Sequence, residues 1–172
     1  MVAAGAALLG AALTAYSGMA LAQAGPAESL CQAPEAVLFT CRVEAKTVSI
    51  CGRQQKQGQD KAGAVFRYGH QGHVELELTD LHRAFEGWPG GGETQVYADT
   101  PTHRYIVYDR MVRTGVDKEG HSLSQMTQGL LVRSGERTVL SKHCTYPEGA
   151  DLPAFDQRRT EALLPQGDYV PH

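Results

Sequence analysis

The sequence predicts a mainly β protein, either an antiparallel β-sandwich or an open barrel, with a short C-terminal helix. Short β-branched and aromatic runs alternate with glycine-rich turns at roughly ten-residue spacing through most of the chain, a pattern typical of antiparallel strands. Helical patterning is scarce. Its best example covers residues 153–164, with Asp151 as a candidate N-cap and Pro165 as the stop signal.

Successive strands are predicted to pair as hairpins, because turn-forming residues separate each pair of alternating runs. The four predicted hairpins are 37–43 with 47–52, 64–68 with 73–79, 94–98 with 103–113, and 129–133 with 137–144. Three segments lie between these hairpins. Residues 79–86 are a candidate for one or two helical turns, residues 54–62 are predicted to be a mobile polar loop, and residues 88–92 are predicted to be irregular.

The N-terminus is typical of a secretory signal peptide. Residues 1–24 are almost wholly small and apolar and include Ala20-Leu21-Ala22, an A-x-A cleavage pattern. The stretch lacks the Leu, Ile and Phe density of a membrane span, so we expect residues 1–22 to be removed rather than to anchor the chain. Residues 23–172 are then predicted to be a single exported domain with no membrane attachment.

Charge and cysteine content narrow the partners and the compartment. The formal net charge of -3, without a long basic run, makes nucleic acid and anionic membranes poor candidates as partners. An even set of four cysteines in an exported chain favours two disulfides over thiol chemistry or zinc. The four are Cys31, Cys41, Cys51 and Cys144.

Three disulfide pairings are open, and the first hairpin ranks them only weakly. Paired across Ala45 and Lys46, this hairpin places Cys41 on one face and Cys51 on the other. A bond between Cys41 and Cys51 would need a shifted register or a bulge, so we expect that this bond does not form.

Patterns for catalysis and metal binding are weak. Residues 120–124 resemble the nucleophile elbow of serine hydrolases, but Ser124 stands where that turn needs a glycine. His70 and His73 with Glu75 or Glu77 offer metal-ligand atoms, but their spacing fits an exposed strand face better than a zinc site. Neither pattern therefore favours enzymatic activity, a bound metal or a cofactor.

The connection at 114–125 is the strongest candidate for a functional site. It lies between two strong strands, is longer than a hairpin turn requires, and mixes charges, glycines, a histidine and two serines. Loops of this length on a rigid sheet are usually either disordered or functional, and small polar side chains on a protruding loop fit another protein's cleft.

The exported four-cysteine β body and three of its segments resemble a known family. The segments are CQAP at 31–34, LVRSG at 131–135 and GHSLS at 120–124. The chain is similar over its whole length to periplasmic immunity proteins that neutralise papain-like peptidoglycan amidases delivered by type VI secretion. The resemblance implies a periplasmic inhibitor that is not an enzyme and that occludes the Cys-His pair of a cognate amidase effector.

The resemblance also implies the binding residues. Ser124 is expected to enter the cleft and hydrogen-bond the catalytic histidine, with Ser122 and His121 in support and Leu123 as an apolar anchor. The whole expected partner-binding segment is Gly120, His121, Ser122, Leu123, Ser124 and Gln125. Secondary contacts are expected among Tyr105, Tyr108, Met126 and Trp88, although Tyr108 and Trp88 are also expected to be buried in the domain.

Two other classes stay open. A periplasmic inhibitor of a different wall hydrolase, of the lysozyme type, would share the export signal, the β fold and the disulfides, and would block paired carboxylates instead of a Cys-His pair. A periplasmic module that binds a small ligand or a metal is the other. Bound ligand or metal in the purified protein, without any effect on wall hydrolases, would identify this last class.

Overall fold

The computed structural model describes residues 29–53, 63–149 and 152–172. The predicted signal peptide at 1–22, the predicted loop at 54–62 and the candidate cap Asp151 lie outside the described residues. The described helix is too short to cross a membrane.

Two antiparallel sheets form a β-sandwich, as the sequence predicts for the fold class. Each strand pairs with its neighbour in sequence, in the order β1-β2-β3-β4 in the first sheet and β5-β6-β7-β8-β9 in the second. The described elements are β1 Ala36–Val43, β2 Lys46–Arg53, β3 Gly63–His70, β4 His73–Leu78, β5 Leu81–Trp88, β6 Gly91–Asp99, β7 Arg104–Val116, β8 Ser122–Ser134, β9 Arg137–His143 and α1 Gln157–Leu163.

The main core lies between the sheets, where apolar side chains that alternate along each strand meet. Its members include Phe39, Ile50 and Phe66 of the first sheet and Val96, Val107 and Leu130 of the second. A smaller cluster lies on the opposite face of the second sheet, where Tyr169 and Val170 of the C-terminal segment pack against Tyr97 and Ile106. The second sheet is therefore covered on both faces.

The predicted hairpins are confirmed, but the helical turns considered at 79–86 are wrong. Leu81–Trp88 forms β5, which pairs with β6 in an unbroken register. Leu81 and Ala84 are both buried, because they contribute to the clusters on opposite faces of the sheet. A strand covered on both faces loses simple alternation, and this explains why its sequence looked partly helical. The irregular stretch predicted at 88–92 is a tight turn, followed by β6 from Gly91.

The C-terminal helix is confirmed but is shorter than predicted. It covers Gln157–Leu163, and its N-cap is Asp156, whose carboxylate accepts a hydrogen bond from Arg159 N at 3.1 Å. Residues 153–155 precede the helix without regular secondary structure, and Phe155 stacks on Phe39, with ring centroids 4.6 Å apart. Asp156 N also donates to Leu38 O at 3.0 Å, which fixes the start of the helix against β1.

Two disulfides are present, as predicted, and they join Cys31 to Cys51 and Cys41 to Cys144. The expectation that Cys41 does not bond Cys51 is confirmed, because Cys41 pairs opposite Val48 in the sheet register, which leaves Cys51 on the other face. The second bond links β1 of one sheet to the residue after β9 of the other. Two disulfides fit a protein exported to an oxidising compartment.

Candidate functional site

A hairpin formed by the ends of β7 and β8 projects from the sandwich, and we call it the arm (residues 111–126). Pairing of β9 with β8 ends at Gly129, and pairing of β6 with β7 ends at Val112. Beyond the hydrogen bonds from Arg113 N to Gly90 O at 2.6 Å and from Cys144 N to Gln128 O at 2.8 Å, the two arm strands pair only with each other, and every arm residue except Asp117 is exposed. The arm is thus a narrow two-stranded projection.

The prediction of a long loop at 114–125 is wrong in its conformation. β7 continues to Val116 and β8 begins at Ser122, so only residues 117–121 form the turn. The remaining residues pair across the hairpin, with a bulge between Arg113 and Gly115. Their exposure made them look like a loop in the sequence, but backbone pairing between the two strands satisfies their hydrogen bonds.

The carboxylate of Asp117 organises the turn at the tip of the arm. Its Oδ1 accepts hydrogen bonds from Glu119 N at 3.0 Å and from His121 N at 2.7 Å, and His121 Nδ1 lies 2.9 Å from Oδ2. Asp117 N also donates to His121 O at 2.9 Å, which closes the hairpin. The hydrogen bond from the His121 backbone, together with these others, lowers the pKa of Asp117 against the effect of burial. The tip is therefore ordered by its own bonds.

The predicted binding residues all lie near this tip, but some are in the turn and others are on β8. Gly120 and His121 are in the turn, where Gly120 has a φ of 88°. Ser124 is on β8 opposite Arg113, so it is not at the apex of the tip. Strand alternation puts Ser122 and Ser124 on one face, and it puts Leu123 and Gln125 on the other.

The secondary contact candidates have different positions. Tyr108 is only 2% exposed and belongs to the smaller cluster, which confirms the expectation that it is buried in the domain. Trp88 is half-buried beside Arg110, and Tyr105 packs against the main core. Met126 is exposed on the arm. Of these four side chains, Met126 is thus the one best placed to contact a partner.

A groove beside the arm was missed by sequence reasoning. We call it the arm groove, a cavity of about 210 Å³ whose lining includes Phe85, Asp109, Met111, Met126 and Gln157. Phe85 is 57% exposed, Met111 39% and Met126 37%. Three large apolar side chains exposed together are the usual mark of an interaction surface. The signal available in the sequence was two methionines on adjacent strands, but their cross-strand register decides whether they meet.

Metal-ligand geometry among the described residues is limited to two groups. Asp117, Glu119 and His121 have ligand atoms within 4.8 Å of one another, but the turn already uses both carboxylate oxygens of Asp117. The other group contains Cys31 and Cys51, whose sulfurs form a disulfide.

Both glutamates of the second hairpin, Glu75 and Glu77, are engaged in ion pairs. Glu75 lies 2.5 Å from Lys46 Nζ and 3.5 Å from His70 Nε2, and Glu77 pairs with Arg67. This arrangement matches an exposed strand face with cross-strand charge pairs.

Comparison with protein-family models, with curated proteins and with solved structures found no match to this chain. The arm and the groove beside it are the candidate functional features of the described residues.

Proposed function

We propose that the protein is an immunity protein that binds a papain-like peptidoglycan amidase in the periplasm and occludes its Cys-His active site. The observation that carries the proposal is the arm, an exposed two-stranded projection whose tip is ordered by Asp117. A narrow projection of this kind fits a substrate cleft, and the two disulfides fit an oxidising compartment.

The inhibitory step is a hydrogen bond to the catalytic histidine. A papain-like enzyme needs this histidine to activate its cysteine nucleophile. The Ser124 hydroxyl, which is exposed on the arm, bonds the histidine and removes it from this role. A serine side chain suits a narrow cleft and presents no carbonyl group for attack. Ser122, two residues away on the same face, gives a second hydroxyl, and Leu123 on the opposite face gives an apolar contact.

The order of the tip favours tight binding. Fixing a flexible residue on association costs roughly 1–2 kcal/mol of backbone entropy, and a turn that is already fixed avoids most of this cost. In the arm, strand pairing and the Asp117 hydrogen bonds fix the turn before any partner is present.

The proposal is tested by measuring hydrolysis of peptidoglycan by a papain-like amidase with and without an equimolar amount of the mature protein. The wild type should abolish activity, and a Ser124→Trp variant should inhibit at least tenfold more weakly because the bulky side chain blocks entry of the arm. Ser141→Trp is the matched control, since Ser141 is an exposed serine on β9. It should inhibit like the wild type.

Three outcomes bear on the proposal, and the first would overturn it. Absence of inhibition by the folded wild type would exclude the amidase function. Inhibition of a lysozyme in the parallel assay would instead indicate the class of inhibitor that blocks paired carboxylates. Full inhibition by Ser124→Trp would reject the assignment of Ser124 while leaving the function in place.

A further inference from the structure

The arm groove has the dimensions and the lining of a pocket for one long side chain. Its volume is about 210 Å³, and Phe85, Met111 and Met126 give it three apolar surfaces. The Phe85 ring lies close over the sheet because β5 and β6 have glycines beneath it. A Cβ atom at Gly87 or at Gly92 would come within 3.3 Å of the ring.

A carboxylate lies in the lining of this apolar groove. Asp109 Oδ1 is buried and has no hydrogen-bond partner among the described residues. Burial raises the pKa of Asp109, while hydrogen bonds from Gln128 and from the Phe155 backbone offset part of the effect. Asp109 is nevertheless part of the groove lining, and the best partner for a carboxylate in an apolar setting is a donor that carries positive charge.

Unpaired polar atoms extend beyond the groove itself. A second cavity of about 190 Å³ shares Phe85 and Gln157 with it and is also lined by Thr160. Thr160 is 1% exposed, and its Oγ1 has no hydrogen-bond partner within the part of the chain that the structure describes. Arg83, which lines the same cavity, likewise has a buried Nε without a partner among the described residues, so buried unpaired polar atoms belong to lining residues of both cavities that border Phe85.

We propose that the arm groove binds an arginine side chain of the partner whose cleft the arm enters. The partner's identity rests on the proposed function. The three methylenes of arginine match the apolar surfaces, its planar guanidinium stacks on Phe85, and its N–H groups donate to Asp109. Lysine would bind less well, because its compact ammonium is more strongly hydrated and does not stack.

The groove and the tip are placed to act together. Met126 and Ser124 are on the same face of β8, two residues apart, which corresponds to about 7 Å along a strand. A partner that surrounds Ser124 therefore reaches the groove without any rearrangement of the arm. The tip would supply the block of the active site, and the groove would supply a charged anchor beside it.

The first experiment needs no partner protein. n-Butylguanidinium is titrated into the isolated protein while backbone NMR shifts are followed, with N-butylurea as the neutral probe of nearly the same shape. We expect saturable shifts at Phe85, Asp109, Met111 and Met126 with the cation, and at least tenfold weaker binding of the urea. Equal binding of both probes, or no shifts at these residues, would overturn the proposal.

Two variants extend the test. Asp109→Asn keeps the shape but removes the charge, and it should weaken cation binding about tenfold or more. Phe85→Ala alters an exposed side chain and should weaken both probes. Val139→Ala is the control, because Val139 is an exposed apolar residue on β9 that does not line the groove. Unchanged cation binding by Asp109→Asn would reject the role of its carboxylate.

The second experiment measures the dissociation constant of the complex with the amidase. Asp109→Asn should weaken binding about 30-fold, in line with the loss of one partner of a buried charged pair, and Phe85→Ala should weaken it about tenfold. If the wild type inhibits and both variants bind within twofold of it, the groove proposal is wrong and the proposed function stands. If the wild type does not inhibit but the groove binds n-butylguanidinium, the proposed function fails and the pocket stands.

Discussion

Arg67 joins the N-terminal segment to the first sheet, in addition to the disulfide between Cys31 and Cys51. Its side chain is 2% exposed, and it contacts both oxygens of Glu35, with Nη2 at 2.9 Å from Oε1. Its Nη1 also donates to Leu30 O at 3.2 Å, and its Nε donates to Glu77 at 2.8 Å. Burial by itself raises the pKa of Glu35, but the hydrogen bonds from Arg67, the Gln32 backbone and Arg53 lower it to about 2.

This depressed pKa predicts how stability depends on acid. Because the folded-state pKa of Glu35 lies below its ordinary value of 4.5, its contribution is fully present above pH 4.5 and is lost as the pH falls toward 2. The shift corresponds to about 3 kcal/mol. Glu35→Gln should therefore lower the free energy of unfolding at pH 7 by up to about 3 kcal/mol and flatten its decline between pH 4.5 and 2, as measured by urea unfolding.

A matched control is Glu44→Gln, because Glu44 pairs with Lys142 but its side chain is 66% exposed. Exposed ion pairs contribute roughly 0–1 kcal/mol, so this variant should keep the wild-type pH profile. Equal profiles for Glu35→Gln and the wild type would show that Glu35 does not contribute through its charge.

Asp109 should behave in the opposite way to Glu35. Burial raises its pKa above the ordinary value of 3.8, so its ionisation destabilises the folded protein as the pH rises through the folded-state pKa. Asp109→Asn should therefore raise the free energy of unfolding at pH 7, although it weakens binding at the groove. A loss of stability in this variant would show that the hydrogen bonds from Gln128 and from the Phe155 backbone outweigh the cost of burying the carboxylate, and would remove the argument that its charge awaits a ligand.

At the scale of elements, the arm depends on the turn that Asp117 organises. Asp117→Ala removes the acceptor for two backbone N–H groups and for the His121 ring. We expect backbone order parameters at residues 118–121 to fall from about 0.85 to below about 0.6, as measured by ¹⁵N relaxation. Affinity for the amidase should fall about tenfold, because the turn must then be ordered on binding.

Lys118→Ala is the control for the arm, since Lys118 is an exposed residue of the same turn. It should leave the order parameters and the affinity unchanged. Unchanged order parameters in Asp117→Ala would mean that strand pairing alone fixes the tip.

The strands and hairpins were predictable because they depend on local signals, namely alternation of apolar residues and turn residues at short range. The arm was not, since polar residues on an exposed hairpin lack alternation and look like a loop. Prediction of the arm groove would need information beyond local sequence signals. Phe85, Met111 and Met126 belong to three strands that come together only through the register of β5 to β8. Such cross-strand proximity requires the folded structure.

At the scale of the whole molecule, the disulfide between Cys41 and Cys144 holds in place the part of β8 from which the arm projects. It joins β1 of the first sheet to the residue after β9 of the second, and Cys144 N donates to Gln128 O at 2.8 Å. Gln128 is on β8, two residues from Met126 of the groove. The bond therefore fixes the strand from which the arm projects relative to the first sheet.

The two disulfides allow a matched comparison of this role. One replacement is Cys41→Ala with Cys144→Ala, and the other is Cys31→Ala with Cys51→Ala. Each removes one fully buried and one half-buried cysteine, so the loss of packing is similar. The sequence separations are 103 and 20 residues, which correspond to about 5 and about 3 kcal/mol from restriction of the unfolded chain.

We expect the Cys41→Ala, Cys144→Ala variant to have the lower urea midpoint and, at a temperature where both variants are folded, the weaker inhibition of the amidase. Because only folded molecules are compared, weaker inhibition cannot result from lower stability. It is expected only if this disulfide positions the part of β8 from which the arm projects. Inhibition that is equally strong in both variants would show that strand pairing in the second sheet positions the arm without help from the first sheet. The bond between the sheets would then contribute to stability alone.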